Sequence, residues 1–146
     1  MVHALEEIHR LLRPDGYLID IHPFVEGSFI EVLGEDEVLF AEPRRLTDDE
    51  DVVQAEAALT QVLKRRLFAV EDSDEFDFFT HASSVPELRE FREEDSAYDD
   101  SPSDEALVAR EEELYAQAEK ILQASAEEAH IASHTRCRIA RLRPVR

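Results

Sequence analysis

Asp20 and His22 are the residues in this sequence whose types and spacing best suit chemistry. They lie two positions apart within an apolar run, so a strand would place both side chains on one face. A histidine next to a carboxylate can act as a general base while the carboxylate orients the ring. The alternative is a strand that becomes polar where it meets solvent. Both residues lie near the carboxyl end of the predicted strand, where an active residue of an α/β sheet can sit.

His130, His134 and Cys137 form a second pattern, H-x3-H-x2-C. Two histidines four residues apart can chelate zinc when they lie on one helix. This segment, however, spans the predicted end of a helix and the predicted start of a strand, so we predict no metal site there. Cys137 is the only cysteine, which excludes an intrachain disulfide. We expect it to be a small buried group on the last strand.

Acidic residues 93–95, with Asp99 and Asp100, form a third group that could bind a divalent cation. The run lacks the Asp-x-Asp-x-Asp-Gly spacing of a calcium-binding loop. It is also poor in apolar residues and contains serine and proline nearby. We therefore predict a solvated acidic loop over about residues 93–103.

The overall charge restricts the classes of partner. The chain has 35 acidic and 16 basic residues, a formal net charge of −19. Such a charge opposes binding to nucleic acid and to anionic membranes. No run approaches the roughly 18 apolar residues of a membrane span. We predict a cytoplasmic protein with no nucleic-acid or membrane partner, whose arginines at 136–146 pair with acidic helices.

The elements that must position these residues begin with a helix over 2–12, ended by Pro14 and the turn at 13–16. A continuous apolar strand follows at 17–22 and is ended by Pro23. Because its apolar residues do not alternate cleanly, the pattern predicts a strand covered on both faces, as in parallel sheets.

The rest of the chain predicts alternating strands and helices. Residues 29–33 and 38–41 form a predicted hairpin around the link 34–37, where Gly34 permits a positive φ. A helix is predicted after a capping box at 47–50, followed by strands at 68–70 and 76–81 on either side of an acidic link at 71–75. A short helix is predicted from Ser84, with Leu88 and Phe91 facing inward. A long helix after Ser101 and Pro102 and a strand at 135–142 complete the predicted elements.

Residues 5–19 resemble the helix, turn and fifth strand of class I S-adenosylmethionine-dependent methyltransferases. Positions 11–16 have Leu-Leu-Arg-Pro-Asp-Gly where the family has roughly Val-Leu-Arg-Pro-Gly-Gly. Residues 76–88 and 136–144 resemble later family segments. The resemblance implies a single α/β domain over 1–146, an incomplete Rossmann-like half-sheet with an inserted hairpin and a long C-terminal helix. It also implies that strand 17–22 pairs with strand 135–142 on one side and with a strand outside this sequence on the other.

The glycine-rich turn that holds the cofactor in this family has no counterpart in the sequence. The glycines are Gly16, Gly27 and Gly34, and none has a Gly-x-Gly spacing after a strand. The resemblance therefore implies that this chain holds no S-adenosylmethionine, although a complete protein would use it. The residues that it implies on the methyl-acceptor side are Asp20, His22, the hairpin, Phe79 and His81.

Two functions follow, and the sequence leaves both open. The first is a fragment of a methyltransferase, inactive alone, whose partner is the missing N-terminal half or a second copy bound through strand 17–22. The second is a non-enzymatic acidic module for protein interaction, built on the same scaffold. Metal-dependent hydrolysis, a third possibility, has no convincing set of ligands.

Overall fold

The structure, a computed structural model, describes residues 1–46, 48–96, 104–125 and 128–146. This part of the chain forms an α/β fold, as predicted. Its elements in chain order are α1 (Val2–Leu11), β1 (Leu18–Leu33), β2 (Val38–Pro43), α2 (Glu50–Lys64), β3 (Phe68–Ala82), α3 (Val85–Ser96), α4 (Glu105–Ala124) and β4 (His130–Pro144).

The four strands form one open antiparallel sheet in the order β2-β1-β4-β3. The C-terminal strand β4 therefore lies between β1 and β3, which confirms the predicted pairing of the strand at 17–22 with the strand at 135–142. The expectation of a parallel arrangement around residues 17–22 is wrong. The neighbour of these residues is β4, which also runs antiparallel to β1. Link 34–37 is too short to cross the sheet, so β2 returns antiparallel along residues 29–33 of β1.

The hairpin is confirmed, but β1 is longer than predicted. Strand β2 pairs with residues 29–33 of β1, with a register shift between Val32 and Leu33. Gly34 does not use a positive φ. The prediction that Pro23 ends the first strand is wrong, because β1 continues through it to Leu33. Proline removes one N–H from the ladder, a loss that strands tolerate where one side lacks a partner strand.

The acidic link predicted at 71–75 is also wrong, since β3 runs without a break from Phe68 to Ala82. Nearly all of its side chains between the two ends are exposed, and β3 lies at the edge of the sheet. Charged residues do not interrupt an edge strand whose side chains reach solvent, and they oppose pairing with other chains.

Three of the C-terminal arginines pair with carboxylates of this strand and not with acidic side chains of a helix, so the prediction is wrong for them. The Glu71 carboxylate accepts a hydrogen bond from Arg143 Nη1 at 3.1 Å, and its other oxygen lies 3.4 Å from Arg141 Nε. Arg136 Nη2 lies 3.5 Å from the Glu75 carboxylate. Neighbouring strands bring side chains of the same face within about 5 Å, closer than a helix across the sheet.

Aspartates cap the two long helices among the described residues. Asp49 caps α2 by accepting the Asp51 N–H at 3.1 Å. Asp104 caps α4 by accepting the Leu107 N–H at 3.0 Å. Thr47 and the predicted cap at 101–102 lie outside the described residues. The acidic loop predicted from residue 93 is helical as far as Ser96, and its remainder also lies outside them.

The chain divides into two compact units. Unit 1 consists of Met1–Glu26, Thr47–Asp77 and Arg136–Arg146, and unit 2 consists of Gly27–Leu46 and Phe78–Thr135. Strands β1, β3 and β4 contribute residues to both. The buried core of unit 1 is Leu59, Val62, Phe68, Ala140 and Leu142, and that of unit 2 is Ile30, Val32, Ala82, Val85, Leu88, Leu114, Tyr115, Ala118 and Ile131.

Helix α3 begins after Ser84 as predicted, and its first turn is fixed by a carboxylate. Glu87 accepts the Ser83 N–H at 2.7 Å and the Ser83 hydroxyl at 2.6 Å. These hydrogen bonds hold the pKa of the Glu87 carboxyl below its usual value. Leu88 is buried as expected, but Phe91 is 43% exposed and does not face inward.

We predict that Glu87→Gln lowers the thermal midpoint at pH 7 and that the difference from wild type disappears in acid. A carboxyl whose pKa is lower in the folded state stabilises above its unfolded pKa, about 4.3, and loses this effect as the pH falls through the folded value. Circular dichroism melts between pH 7 and pH 3 measure this. Glu90→Gln removes the same charge from an exposed position of α3 and is the control. Equal effects of the two substitutions would contradict the assignment.

Candidate functional site

Asp20 and His22 contact each other on one face of β1, as their spacing predicts. His22 Nδ1 donates a hydrogen bond to Asp20 Oδ2 at 2.7 Å. Only 11% of the His22 side chain and 23% of the Asp20 side chain are exposed. The pair is therefore part of the packed structure of unit 1 and does not have the exposure expected of a strand end at the surface.

Arg138 on β4 contacts the other ring nitrogen of His22. Its Nη2 lies 3.1 Å from His22 Nε2, and a guanidinium can only donate, so Nε2 is the acceptor in this contact. The Glu56 Oε1 carboxylate oxygen lies 3.7 Å from the same nitrogen. The lone pair that a general base would use is thus occupied by Arg138.

The position of this cluster along the sheet differs from the expected one. Because β1 continues to Leu33, Asp20 and His22 lie near its beginning and not at its carboxyl end. Glu56 comes from α2, which lies on the same face as the cluster. The contacts of His22 with Asp20, Glu56 and Arg138 thus connect β1, α2 and β4. This geometry favours a structural role, since proton abstraction would first require the loss of the Arg138 contact.

The other two predicted residues, Phe79 and His81, belong to unit 2. They are neighbours on β3 with stacked rings, 5.5 Å between centroids and 14° between planes. They form part of a row of five rings, which we call the aromatic row: Phe29, His134, Phe79, His81 and His130. Its other centroid distances are 5.7 Å for Phe29–His134, 4.3 Å for Phe79–His134 and 5.0 Å for His81–His130.

Sequence reasoning missed the hydrogen-bonded pair of Glu31 and His134 that supports the aromatic row. His134 Nδ1 lies 2.7 Å from Glu31 Oε1, and Glu31 is only 8% exposed. A charged residue within the apolar run 29–33 was a signal of a buried partner, because carboxylates are rarely buried unpaired. The identity of that partner depended on the pairing of β1 with β4, which brings residues 31 and 134 together.

The H-x3-H-x2-C pattern does not form a three-ligand site. His130, His134 and Cys137 all lie on β4, a strand, and the part of the chain that the structure describes has no group of three or more metal-ligating side chains. His130 and His134 belong to the aromatic row. Cys137 is half-buried, and burial followed by the Asp77 carboxylate raises the pKa of its thiol. Such a thiol is a poor nucleophile at neutral pH.

Comparison with known proteins supplies no relative: no protein-family model, curated protein or solved structure matches the chain. None of the helices in the described ranges is long and apolar enough to cross a membrane. The functional argument therefore depends on the contacts and exposed surfaces of the described residues.

We predict that His22→Ala destabilises the fold by about 1–3 kcal/mol, because it leaves the Asp20 carboxylate and the Arg138 guanidinium without their shared partner. Urea denaturation at pH 7 measures the change. The control is His3→Ala, which removes an imidazole that is 87% exposed and should leave stability unchanged. Wild-type stability for the His22 variant would mean that the ring is free for another role.

Proposed function

We propose that this chain is the C-terminal part of a Rossmann-like, methyltransferase-like domain, and that it serves as a scaffold for a complementary segment without catalysing a reaction alone. The observation that carries the proposal is the first half of β1, which has an uncovered apolar face and a side without a partner strand among the described residues.

The uncovered face belongs to the odd-numbered residues at the start of β1. Leu18 packs on the core of unit 1, to which α1 and α2 also contribute. Ile19 and Ile21 alternate with it and are 51% and 58% exposed, and Tyr17 before them is 47% exposed. Domains of the α/β class usually cover both faces of the sheet with helices. In unit 1 the described helices share one core, so the opposite face is available for a further layer.

The side of β1 that lacks a partner strand supports the same proposal. Strand β2 pairs with residues 29–33, which leaves residues 18–27 without a described partner strand on the side away from β4. The resemblance implies a further strand at this position. Helix α1 is consistent with this, because it has no buried residue although Leu5, Ile8 and Leu12 pack against the core of unit 1.

The cavity on this face is too small for the family's cofactor. It has a volume of about 150 Å³ and is lined by Ile19, Asp72, Ser73, Asp74, Ile139 and Arg141. Pockets for ligands of cofactor size have volumes of about 300–1,000 Å³. The cavity is therefore of a size to receive a few side chains of a partner segment.

We expect that the isolated chain does not bind S-adenosylmethionine. Titration calorimetry at a protein concentration of 100 µM or so should give no heat beyond dilution, since no glycine-rich turn lets the backbone approach the cofactor. The nucleotide sequence upstream of the Met1 codon is the companion observation, and an in-frame strand–Gly-x-Gly–helix pattern is the expected result. A one-to-one micromolar site in the chain alone would overturn the proposal.

The open strand also predicts self-association when no complementary segment is present. Screening at physiological salt limits the repulsion from the charge of −19 to about 8 Å, so two copies can pair at residues 17–22. Ile21→Lys should weaken the dimer by about tenfold or more, because burying such a side chain contributes about 1.5–3 kcal/mol. Sedimentation velocity across a salt series measures it.

The matched control for this substitution is Val38→Lys on β2. Val38 and Ile21 are both 58% exposed, so the two variants add the same charge at positions of equal exposure. Equal weakening by both would assign the effect to charge and not to the strand. A monomer at every salt concentration would show that the open side of β1 does not associate.

The second candidate function is an acidic interaction module, and the edge strand β3 favours it. Its carboxylates at Glu71, Asp72, Asp74, Glu75 and Asp77 are exposed along a strand that has β4 on one side only. A basic peptide could pair with this edge and neutralise the row. Monomeric behaviour, cooperative unfolding and salt-sensitive binding of a basic peptide would together favour this function over the first.

A further inference from the structure

We propose that His81 and His130 form a binding site for a divalent transition-metal ion of the imidazole-preferring type, such as Ni²⁺ or Cu²⁺. The two residues lie on the neighbouring strands β3 and β4 within unit 2. The proposal is independent of the proposed function, because it concerns only this pair of side chains and requires no complementary segment.

The distance between the two nitrogen atoms is the first argument. His81 Nδ1 and His130 Nε2 are 3.0 Å apart. Two metal–nitrogen bonds of about 2.1 Å that meet at a right angle place their nitrogens about 3.0 Å apart, whereas a tetrahedral angle requires about 3.4 Å. The pair is therefore close enough for both nitrogens to bind one ion, and imidazole nitrogens suit Ni²⁺ and Cu²⁺.

The His81 ring is supported by its neighbours before any ion binds. The Phe79 ring stacks on His81 with 14° between the planes, and it stacks in turn on His134, which is fixed by the buried Glu31 carboxylate. A ligand held in this way loses little side-chain entropy when it binds. In the metal-free chain one of the two nitrogens donates its N–H to the other. When an ion binds, that proton moves through solvent to the other nitrogen of the same ring, so both rings stay neutral ligands. The rings must also turn, because each metal–nitrogen bond lies well off the line between the two nitrogens.

Access and charge also favour a cation. The contact between His81 and His130 is exposed, so an ion can reach it from solvent and keep water in its other coordination positions. The net charge of −19 raises the local concentration of cations around the chain. Since the described residues contain no group of three ligands, the site should bind exchangeably and should not act as a structural centre.

The test is titration with Ni²⁺ in a chain that carries His3→Ala and no histidine tag. The His3 substitution is needed because an amino terminus and a histidine at position 3 can chelate Ni²⁺ and Cu²⁺ together. In this background we expect one Ni²⁺ per chain. His81→Asn and His130→Asn should each raise the Kd by about tenfold or more, because either change leaves a single ligand.

The double variant distinguishes a chelate from two separate weak ligands. In a chelate the loss of one histidine removes most of the affinity, so the double variant should bind little worse than either single one. Additive losses, or single variants with unchanged affinity, would overturn the proposal. Should the variants fail to fold by circular dichroism, electron paramagnetic resonance of the Cu²⁺ complex in the same background decides. Two nitrogen donors are expected, and one donor would contradict the shared site.

Discussion

The position of β4 in the middle of the sheet is the constraint on which the rest of the structure depends. The last strand of the chain lies between β1 and β3, so the sheet cannot be completed until the C-terminal residues are in place. Both cores contain residues of this strand: Ile131 in unit 2, and Ala140 and Leu142 in unit 1. Contacts between residues so far apart in sequence are costly in loop entropy, and apolar burial along β4 must offset that cost.

The same strand supplies a partner for His22, Phe79 and His81. Arg138 contacts His22, His134 contacts Glu31 and Phe79, and His130 contacts His81. Removing or shifting β4 would therefore change the polar cluster of unit 1 and the aromatic row of unit 2. A shift of a single residue would move each of these side chains to the other face of the sheet.

The distribution of charge explains how so acidic a chain keeps a folded sheet. Arginines of β4 lie beside carboxylates of β3, so attraction acts across the strand pair where backbone hydrogen bonds form. The edge strand β3 carries a row of carboxylates, and their mutual repulsion discourages pairing with other acidic chains. The start of β1 lacks this protection, since Asp20 turns toward His22 and the exposed neighbours Ile19 and Ile21 are apolar. The edge strand β3 is thus protected from pairing by its carboxylates, whereas the start of β1 exposes the apolar side chains of Ile19 and Ile21.

The amino-acid sequence by itself determined the local elements. Leu5, Ile8 and Leu12 define α1, the 34–37 link defines the hairpin, and Ser84 with Glu87 defines the start of α3, because helix periodicity, turn chemistry and caps depend on residues a few positions apart. It also placed Asp20 and His22 on one face, since alternation along a strand is local. Element ends were predicted less well, because the sheet carries β1 through Pro23 and β3 through residues 71–75. Only the tertiary structure decided that Arg138 occupies His22 Nε2, that Glu31 is buried against His134, and that His81 lies 3.0 Å from His130. These pairings arise from strand order, and strand order is set by the burial of distant apolar residues, which no local pattern encodes.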